Sequence, residues 1–219
     1  MVNTSEGNIK LSQEQISSLH KKAVAGNKKA VQDLHHLLEQ ARPNSPDNPP
    51  LDAYHGSTMI LVARDATIPL DKLKWSKSGL KLLDKAVSAE PQHRMIRLLR
   101  GKAGYQLPED YFQRSQSAIE DYTFLIERQI DGEGFLDKRR YFQLIYELGE
   151  LYSRIGQNGN ARKCWLTLKN KSNDPNLLHL LEIKLKELED KPDVEHEHLL
   201  SNLKKRVIDA VESEMNNKK

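Results

Sequence analysis

The sequence has little of several residue types, and each scarcity argues against a class of protein. Its single cysteine, Cys164, cannot form an internal disulfide and is typical of a reducing compartment. No apolar run approaches the roughly 18 residues of a membrane span. Residues 1–10 also lack the apolar stretch of a secretory signal. The sequence therefore predicts a cytoplasmic protein that does not cross a membrane.

Excess charge of one sign and strand-forming patterns are also scarce. The formal net charge is only +3, from 34 basic and 31 acidic residues, so the overall field is too weak to indicate nucleic acid or an anionic membrane. Runs of alternating Val, Ile and Thr are rare, whereas Leu, Lys, Glu and Ala dominate, which favours helices over strands. With 219 residues, 37% of them hydrophobic, the chain is long enough to bury a core.

Apolar residues recur at three- and four-residue intervals, and short Pro, Gly, Asn and Asp breaks separate the periodic segments. Ser12 and Gln15 have the spacing of a capping box at the first helix. Asp174 and Pro175 form a cap and first turn further on, and Pro91 is placed to begin the fifth helix. The pattern predicts about ten helices and no sheet. Five of them are expected at about 51–65, 70–89, 137–155, 160–169 and 194–214.

One stretch combines small, aromatic and proline positions at regular spacing. Two small residues twelve positions apart allow two helices to approach, and a large aromatic one turn after the second fills the space between them. The positions that carry this pattern are Gly149, Tyr152, Gly156, Ala161, Trp165 and Pro175. The progression resembles the tetratricopeptide repeat, a pair of antiparallel helices of about 34 residues.

Two further helix pairs resemble the same repeat with longer connections. Gly56 and Gly79 take the small positions of one pair, 23 residues apart, and Gly101 and Ala118 take those of the next, 17 residues apart. Gly26, Ala30, Leu34 and Leu37 resemble the tail of a first unit. The extra residues are expected as insertions around 67–75 and 107–112.

The resemblance implies an all-α fold, a right-handed α-α superhelix of about four helix pairs with C-terminal capping helices. In this interpretation residues 1–10 are a flexible tail and 11–174 form the repeat array. Residues 175–215 form the capping helices, and 216–219 a second tail. A helical bundle without repeats is the main alternative for the architecture.

In the resembling family the first helices of successive pairs line a concave groove that binds a peptide or helix of a partner protein. The resemblance therefore implies a non-enzymatic interaction scaffold without a cofactor. The residues that it places in the groove are Ser57, Ile60, Lys102, Tyr105, Glu150, Ser153 and Arg154. One subgroup holds a partner's terminal carboxylate with Lys and Asn side chains. Ala53, Leu98 and Tyr146 occupy the corresponding positions here, which argues against that mode.

The alternative function is association with nucleic acid through a lysine-rich helix face. Trp75 lies among its lysines, while Asp71 and Asp84 reduce the positive charge of the helix, so nucleic acid is the less favoured partner. The basic residues are Lys72, Lys74, Lys77, Lys81 and Lys85.

Metal and enzyme motifs are weak. The neighbours His35 and His36 would point about 100° apart on a helix, and the His196-Glu197-His198 run has no histidine four residues after its first. No metal site is therefore predicted. No phosphate loop or nucleophile elbow is visible, and Cys164 is expected to be a packing residue. The protein is expected to be a monomer, or a homodimer through helix 194–214.

Overall fold

The computed structural model describes residues 12–192, which form helices and contain no strand. This confirms the predicted all-α class for that part of the chain. The tails at 1–10 and 216–219 and the predicted helix 194–214 lie outside the described residues. The helices are α1 (Gln13–Val24), α2 (Lys28–Ala41), a 3-10 turn (Arg42–Asn44), α3 (Pro49–Asp65), α4 (Pro69–Ala89), α5 (Arg94–Gln106), α6 (Glu109–Phe112), α7 (Ser115–Ile130), α8 (Lys138–Arg154), α9 (Asn158–Lys171) and α10 (Pro175–Glu187).

Polar side chains cap the start of several helices. Ser12 and Gln15 form the predicted capping box, and Asp174 accepts from the backbone N–H of Asn176. These caps satisfy amide groups that have no partner within their own helix. The start of α5 was predicted wrongly. It lies at Arg94, not Pro91, because the residues between them form a turn closed by the His93 amide on the Glu90 carbonyl.

The chain divides into two compact units, with the division after Arg100, inside α5. In the first unit α1 packs against α2, α2 against α3 and α3 against α4, and α1 also contacts α3. In the second unit α7 packs against α8, α8 against α9, and α9 against α10. Each unit has its own buried side chains, with Leu34, Leu38 and Leu83 in the first and Tyr122 and Trp165 in the second.

Two glycines mark the closest approach of α3 and α4. A Cβ atom on Gly56 would lie 2.6 Å from the carbonyl oxygen of Gly79, and one on Gly79 would lie 2.5 Å from that of Gly56. The predicted insertion around 67–75 is therefore not a separate feature. Residues 57–65 of α3 and 69–78 of α4 lengthen both helices by a similar amount beyond the crossing, which keeps the two glycines opposite each other.

The second predicted insertion contains the short helix α6, and the glycine next to Ala118 differs from the predicted one. A Cβ on Gly104 would lie 3.1 Å from that of Ala118. Gly101 instead faces Tyr122, whose ring would be 2.7 Å from an added Cβ. The pairing differs because Gly101 and Gly104 both lie on the face of α5 that meets α7, almost one helical turn apart.

The α8–α9 pair packs as its spacing predicts. Trp165 of α9 is 1% exposed and lies directly against Gly149 of α8, where any larger residue would occupy the space of the indole. The indole N–H donates to the carbonyl of Tyr146 over 3.2 Å, which fixes the ring. Ala161 is fully buried one turn earlier on α9. None of the described helices has the length and apolar composition needed to cross a bilayer.

Candidate functional site

The first unit holds two of the predicted groove residues, both on α3. Ser57 is half-buried, and its hydroxyl is hydrogen-bonded to Nε2 of His20 over 2.9 Å. Ile60 is only 5% exposed, which does not fit an open groove. The reason is Gly79: without a side chain there, α4 lies close over this part of α3, and Ile60 packs into the resulting interface. Of the two, only Ser57 reaches the surface.

In the second unit a single carboxylate joins three helices. The Tyr105 hydroxyl of α5 donates to Oε2 of Glu150 on α8 over 2.5 Å. The Tyr146 hydroxyl donates to Oε1 over 3.2 Å, and Nζ of Lys184 on α10 lies 3.1 Å from the same oxygen. Burial and the neighbouring Glu150 raise the pKa of both phenols, so both remain protonated donors at neutral pH. Two predicted groove residues, Tyr105 and Glu150, are thus directly bonded.

Arg154 lies one helical turn beyond Glu150 and also contacts Tyr105. Its Nη1 donates to the Tyr105 carbonyl over 3.0 Å, and its guanidinium lies 5.5 Å from the centre of the Tyr105 ring. The arginine is exposed, and the neighbouring Ser153 is half-buried. A cation over an aromatic face in this geometry is held in place, and a guanidinium has further N–H donors besides the one used here.

Sequence reasoning missed Glu147, the most buried charged residue of this surface. It is 4% exposed and accepts from Nζ of Lys102 at 2.7 Å to each carboxylate oxygen. The Tyr122 hydroxyl donates to it over 2.7 Å, and Nε2 of Gln143 donates over 2.9 Å. Burial and then Glu147 raise the pKa of Tyr122. Several donors therefore compensate for the loss of water around this carboxylate.

A signal for Glu147 is present in the sequence. The residue lies three positions after Leu144 and four before Leu151, so it belongs to the buried stripe of α8 and not to its polar face. A charged residue on such a stripe requires internal partners. The predicted groove residue Lys102 is one of them, which means that this lysine is already engaged within the second unit.

A second polar cluster lies in the first unit around His55. Arginine is only a donor, so Nδ1 of His55 accepts from Nη1 of Arg42 over 3.2 Å. Its Nε2 then carries the proton and donates to Nδ1 of His35 over 3.1 Å. Asp52 completes the cluster, 2.7 Å from Nε of Arg42 and 2.9 Å from Nζ of Lys85. The contacts assign neutral His55 a single tautomer, with its proton on Nε2.

The histidines of the sequence analysis separate as helical geometry requires. His35 faces His55 and Trp75, whereas His36 is exposed and is hydrogen-bonded to Gln40. Within residues 12–192, no three His, Cys, Asp or Glu side chains are placed to hold a metal ion. The run at 196–198 lies outside the described residues.

The lysine-rich face of α4 is exposed, as its spacing predicts. The side-chain ammonium groups of four of its lysines have no hydrogen-bond or carboxylate partner within the described part of the chain, while that of Lys85 pairs with Asp52. Trp75, predicted as a possible aromatic contact for nucleic acid, packs edge-on against His35 with ring centroids 5.0 Å apart. The four lysines are Lys72, Lys74, Lys77 and Lys81.

Cys164 is a buried residue of α9. Burial raises the pKa of its thiol to about 12, so the reactive thiolate is scarce at neutral pH. The arrangement is that of a small packing residue.

Comparison with known proteins finds no matching family, no similar curated protein and no similar solved structure. The functional argument therefore depends on the contacts described above.

Proposed function

We propose that the chain is a tetratricopeptide-like interaction scaffold, coiled as a right-handed superhelix of about four helix pairs. A peptide or helix of a partner protein binds across the first helices of successive pairs. In the second unit these first helices are α5 and α8, and the capping helix α10 lies beside α8. The proposal contains no catalytic step and no cofactor, and it places the protein in the cytoplasm, where a single buried cysteine stays reduced.

The observation that carries the proposal is the order in which the helices lie side by side. In a repeat of helix pairs, each first helix contacts the first helix of the next pair as well as its own partner. In the first unit α1 packs against both α2 and α3. In the second unit Glu150 of α8 bonds Tyr105 of α5 on one side and Lys184 of α10 on the other. This pattern favours repeats over an irregular bundle.

The side chains on these helices also suit a binding surface. Tyr105 and Arg154 belong to the residue types that contribute most to protein interfaces. Both are fixed before any partner arrives, Tyr105 by Glu150 and Arg154 by the Tyr105 ring and carbonyl. Side chains that are already ordered lose less conformational entropy on binding, which favours affinity.

The test uses the double variant Tyr105→Ala/Arg154→Ala in the full chain. Partners recovered with the wild-type protein by affinity purification are identified and purified, and their dissociation constants are measured by calorimetry. Loss of two interface anchors should weaken binding by about tenfold or more, because such residues typically contribute more than about 1 kcal/mol each.

The matched control is Tyr111→Ala/Arg139→Ala, which removes an exposed tyrosine and an exposed arginine of the second unit. It should bind each partner as the wild type does. Circular dichroism checks that both variants are folded. A purified partner that binds the two double variants equally well would contradict the proposed groove.

A further inference from the structure

The exposed face of α4 carries a row of lysines, most of which form no ion pair with the described residues. Positions 74, 77, 81 and 85 are three, four and four residues apart, so they lie on one face over about 16 Å of helix. Lys85 pairs with Asp52, but Lys74, Lys77 and Lys81 have no carboxylate partner among the described residues. Elsewhere in the described chain, Lys102 and Lys184 hold internal glutamates.

Two exposed apolar side chains lie near the start of α4, just before the row along the chain. Ile68 is 58% exposed at the start of α4, and Leu70 is 72% exposed. Leu70 lies one helical turn before Lys74, which makes the apolar end and the basic row one continuous surface. Covering a large aliphatic side chain with a partner lowers the free energy, because apolar surface is removed from water.

The acidic residues of α4 leave this surface positive. Asp71 lies beside the apolar end, and Asp84 is 3.5 Å from Arg100, a cation of the same unit. The one aromatic residue of the helix, Trp75, is packed against His35 and cannot stack on a base. A nucleic acid could therefore pair its phosphates with the lysines of this surface. It would gain no favourable contact with Ile68 and Leu70, because phosphates do not bind apolar side chains.

We propose that this face of α4 is a second docking surface, and that its occupant is an acidic protein segment with an apolar residue at one end. Carboxylates of that segment pair with Lys74, Lys77 and Lys81. Its apolar residue covers Ile68 and Leu70. The surface belongs to the first unit and uses none of the residues in the groove proposed above.

The test measures binding of designed peptides to the full chain by fluorescence anisotropy. One peptide of about 20 residues, matched to the length of α4, has a row of glutamates at helical spacing and two leucines at one end. A second peptide has glutamine at each glutamate. The glutamate peptide should bind at least about tenfold more tightly than the glutamine peptide. A higher salt concentration should reduce this difference in affinity, because salt screens exposed charges.

Substitutions separate local pairing from overall charge. Lys74→Gln/Lys77→Gln/Lys81→Gln should weaken binding of the glutamate peptide by about fivefold or more, since exposed ion pairs each contribute modestly. The control Lys29→Gln/Lys186→Gln/Lys191→Gln removes the same charge from exposed positions elsewhere and should change affinity by less than about twofold. Equal loss in the two triple variants would overturn the proposal.

A third variant, Ile68→Ser/Leu70→Ser, tests the apolar end of the surface. It should weaken binding of the glutamate peptide by several-fold. A single-stranded oligonucleotide of about the same length is measured alongside. The proposal is wrong if the oligonucleotide binds more tightly than the glutamate peptide and is insensitive to this variant, because the surface would then be one for nucleic acid. It is also wrong if the glutamate peptide does not bind. Tyr105→Ala/Arg154→Ala should bind the peptide normally, so the outcome is independent of the groove.

Discussion

Gly79 lies where α3 and α4 approach most closely, and this approach depends on its missing side chain. A Cβ at this position would meet the backbone carbonyl of Gly56 and, at 3.0 Å, the end of Ile60. A flexible side chain can move away, but the backbone of a packed helix cannot do so without separating the two helices. The close crossing therefore requires glycine on both helices.

Gly79→Ala should destabilise the protein by about 1–3 kcal/mol, the usual cost of overpacking, despite the better helix propensity of alanine. The measurement is the free energy of unfolding from urea denaturation. Ser78→Ala is the matched control, because Ser78 is the adjacent residue of α4 and is exposed. It should be neutral or slightly stabilising. Equal stability of the two variants would show that the helices do not cross at Gly79.

Single residues also show how far the sequence determines the packing. The spacing of Gly149 and Trp165 correctly predicted the contact between α8 and α9. The pairing of Gly101 with Ala118 was wrong by almost one turn. Periodicity identifies which face of a helix is buried, but the register between two helices also depends on the length of their connection, which short sequence patterns do not reveal.

At the scale of elements, Glu147 joins three helices of the second unit. Its carboxylate on α8 receives the Lys102 ammonium from α5 and the Tyr122 hydroxyl from α7. Lys102 is partly solvated, with 30% of its side chain exposed, whereas Tyr122 is fully buried. Loss of the carboxylate would thus leave the tyrosine hydroxyl, more than the lysine, without a partner.

Glu147→Ala should lower the free energy of unfolding by about 2–4 kcal/mol, because it combines an unsatisfied buried hydroxyl with lost packing. When the chain already carries Tyr122→Phe, Glu147→Ala should lower the free energy of unfolding by less. A double-mutant cycle then gives the coupling energy between the two residues. Glu133→Ala is the control, since it breaks an exposed ion pair with Arg128 and should cost less than about 1 kcal/mol. Additive effects at 147 and 122 would contradict the hydrogen bond.

The elements themselves follow closely from local sequence. Capping residues such as Ser12 and Asp174 begin helices where predicted, and glycine breaks such as Gly26 end them. The partners of Glu147 are not accessible in the same way, because Lys102 lies 45 residues away on another helix. Local rules predict where a helix starts and which face it buries. Contacts between distant helices depend on the assembled fold.

At the scale of the whole molecule, we expect two buried histidines of the first unit to make stability depend on pH. Burial lowers the pKa of His20 to about 4. The pKa of His55 is also lowered to about 4, first by burial and then by the positive field of His35 and Arg42, against the opposite effect of Asp52. Protonation of His55 at Nδ1 would also place a second donor against Arg42. The folded chain thus keeps both rings neutral.

The sign of the pH dependence follows from these shifts. An unfolded chain protonates histidine near pH 6.5, whereas the folded chain does so only near pH 4. Between these values the unfolded state binds more protons, so the free energy of unfolding falls as the pH falls. From pH 7.5 to 5 the loss should be about 2 kcal/mol for each histidine. Urea denaturation at several pH values measures it.

The double variant His20→Gln/His55→Gln should flatten this pH profile, because glutamine has hydrogen-bonding groups but does not titrate. Its stability at pH 7.5 can be lower than that of the wild type, so the slope, not the absolute value, is the readout. His36→Gln, which removes an exposed histidine of α2, should keep the wild-type slope. A double variant that loses stability in acid as steeply as the wild type would show that other groups cause the acid sensitivity. The neutral His55 ring beside Arg42 and His35 would then not determine it.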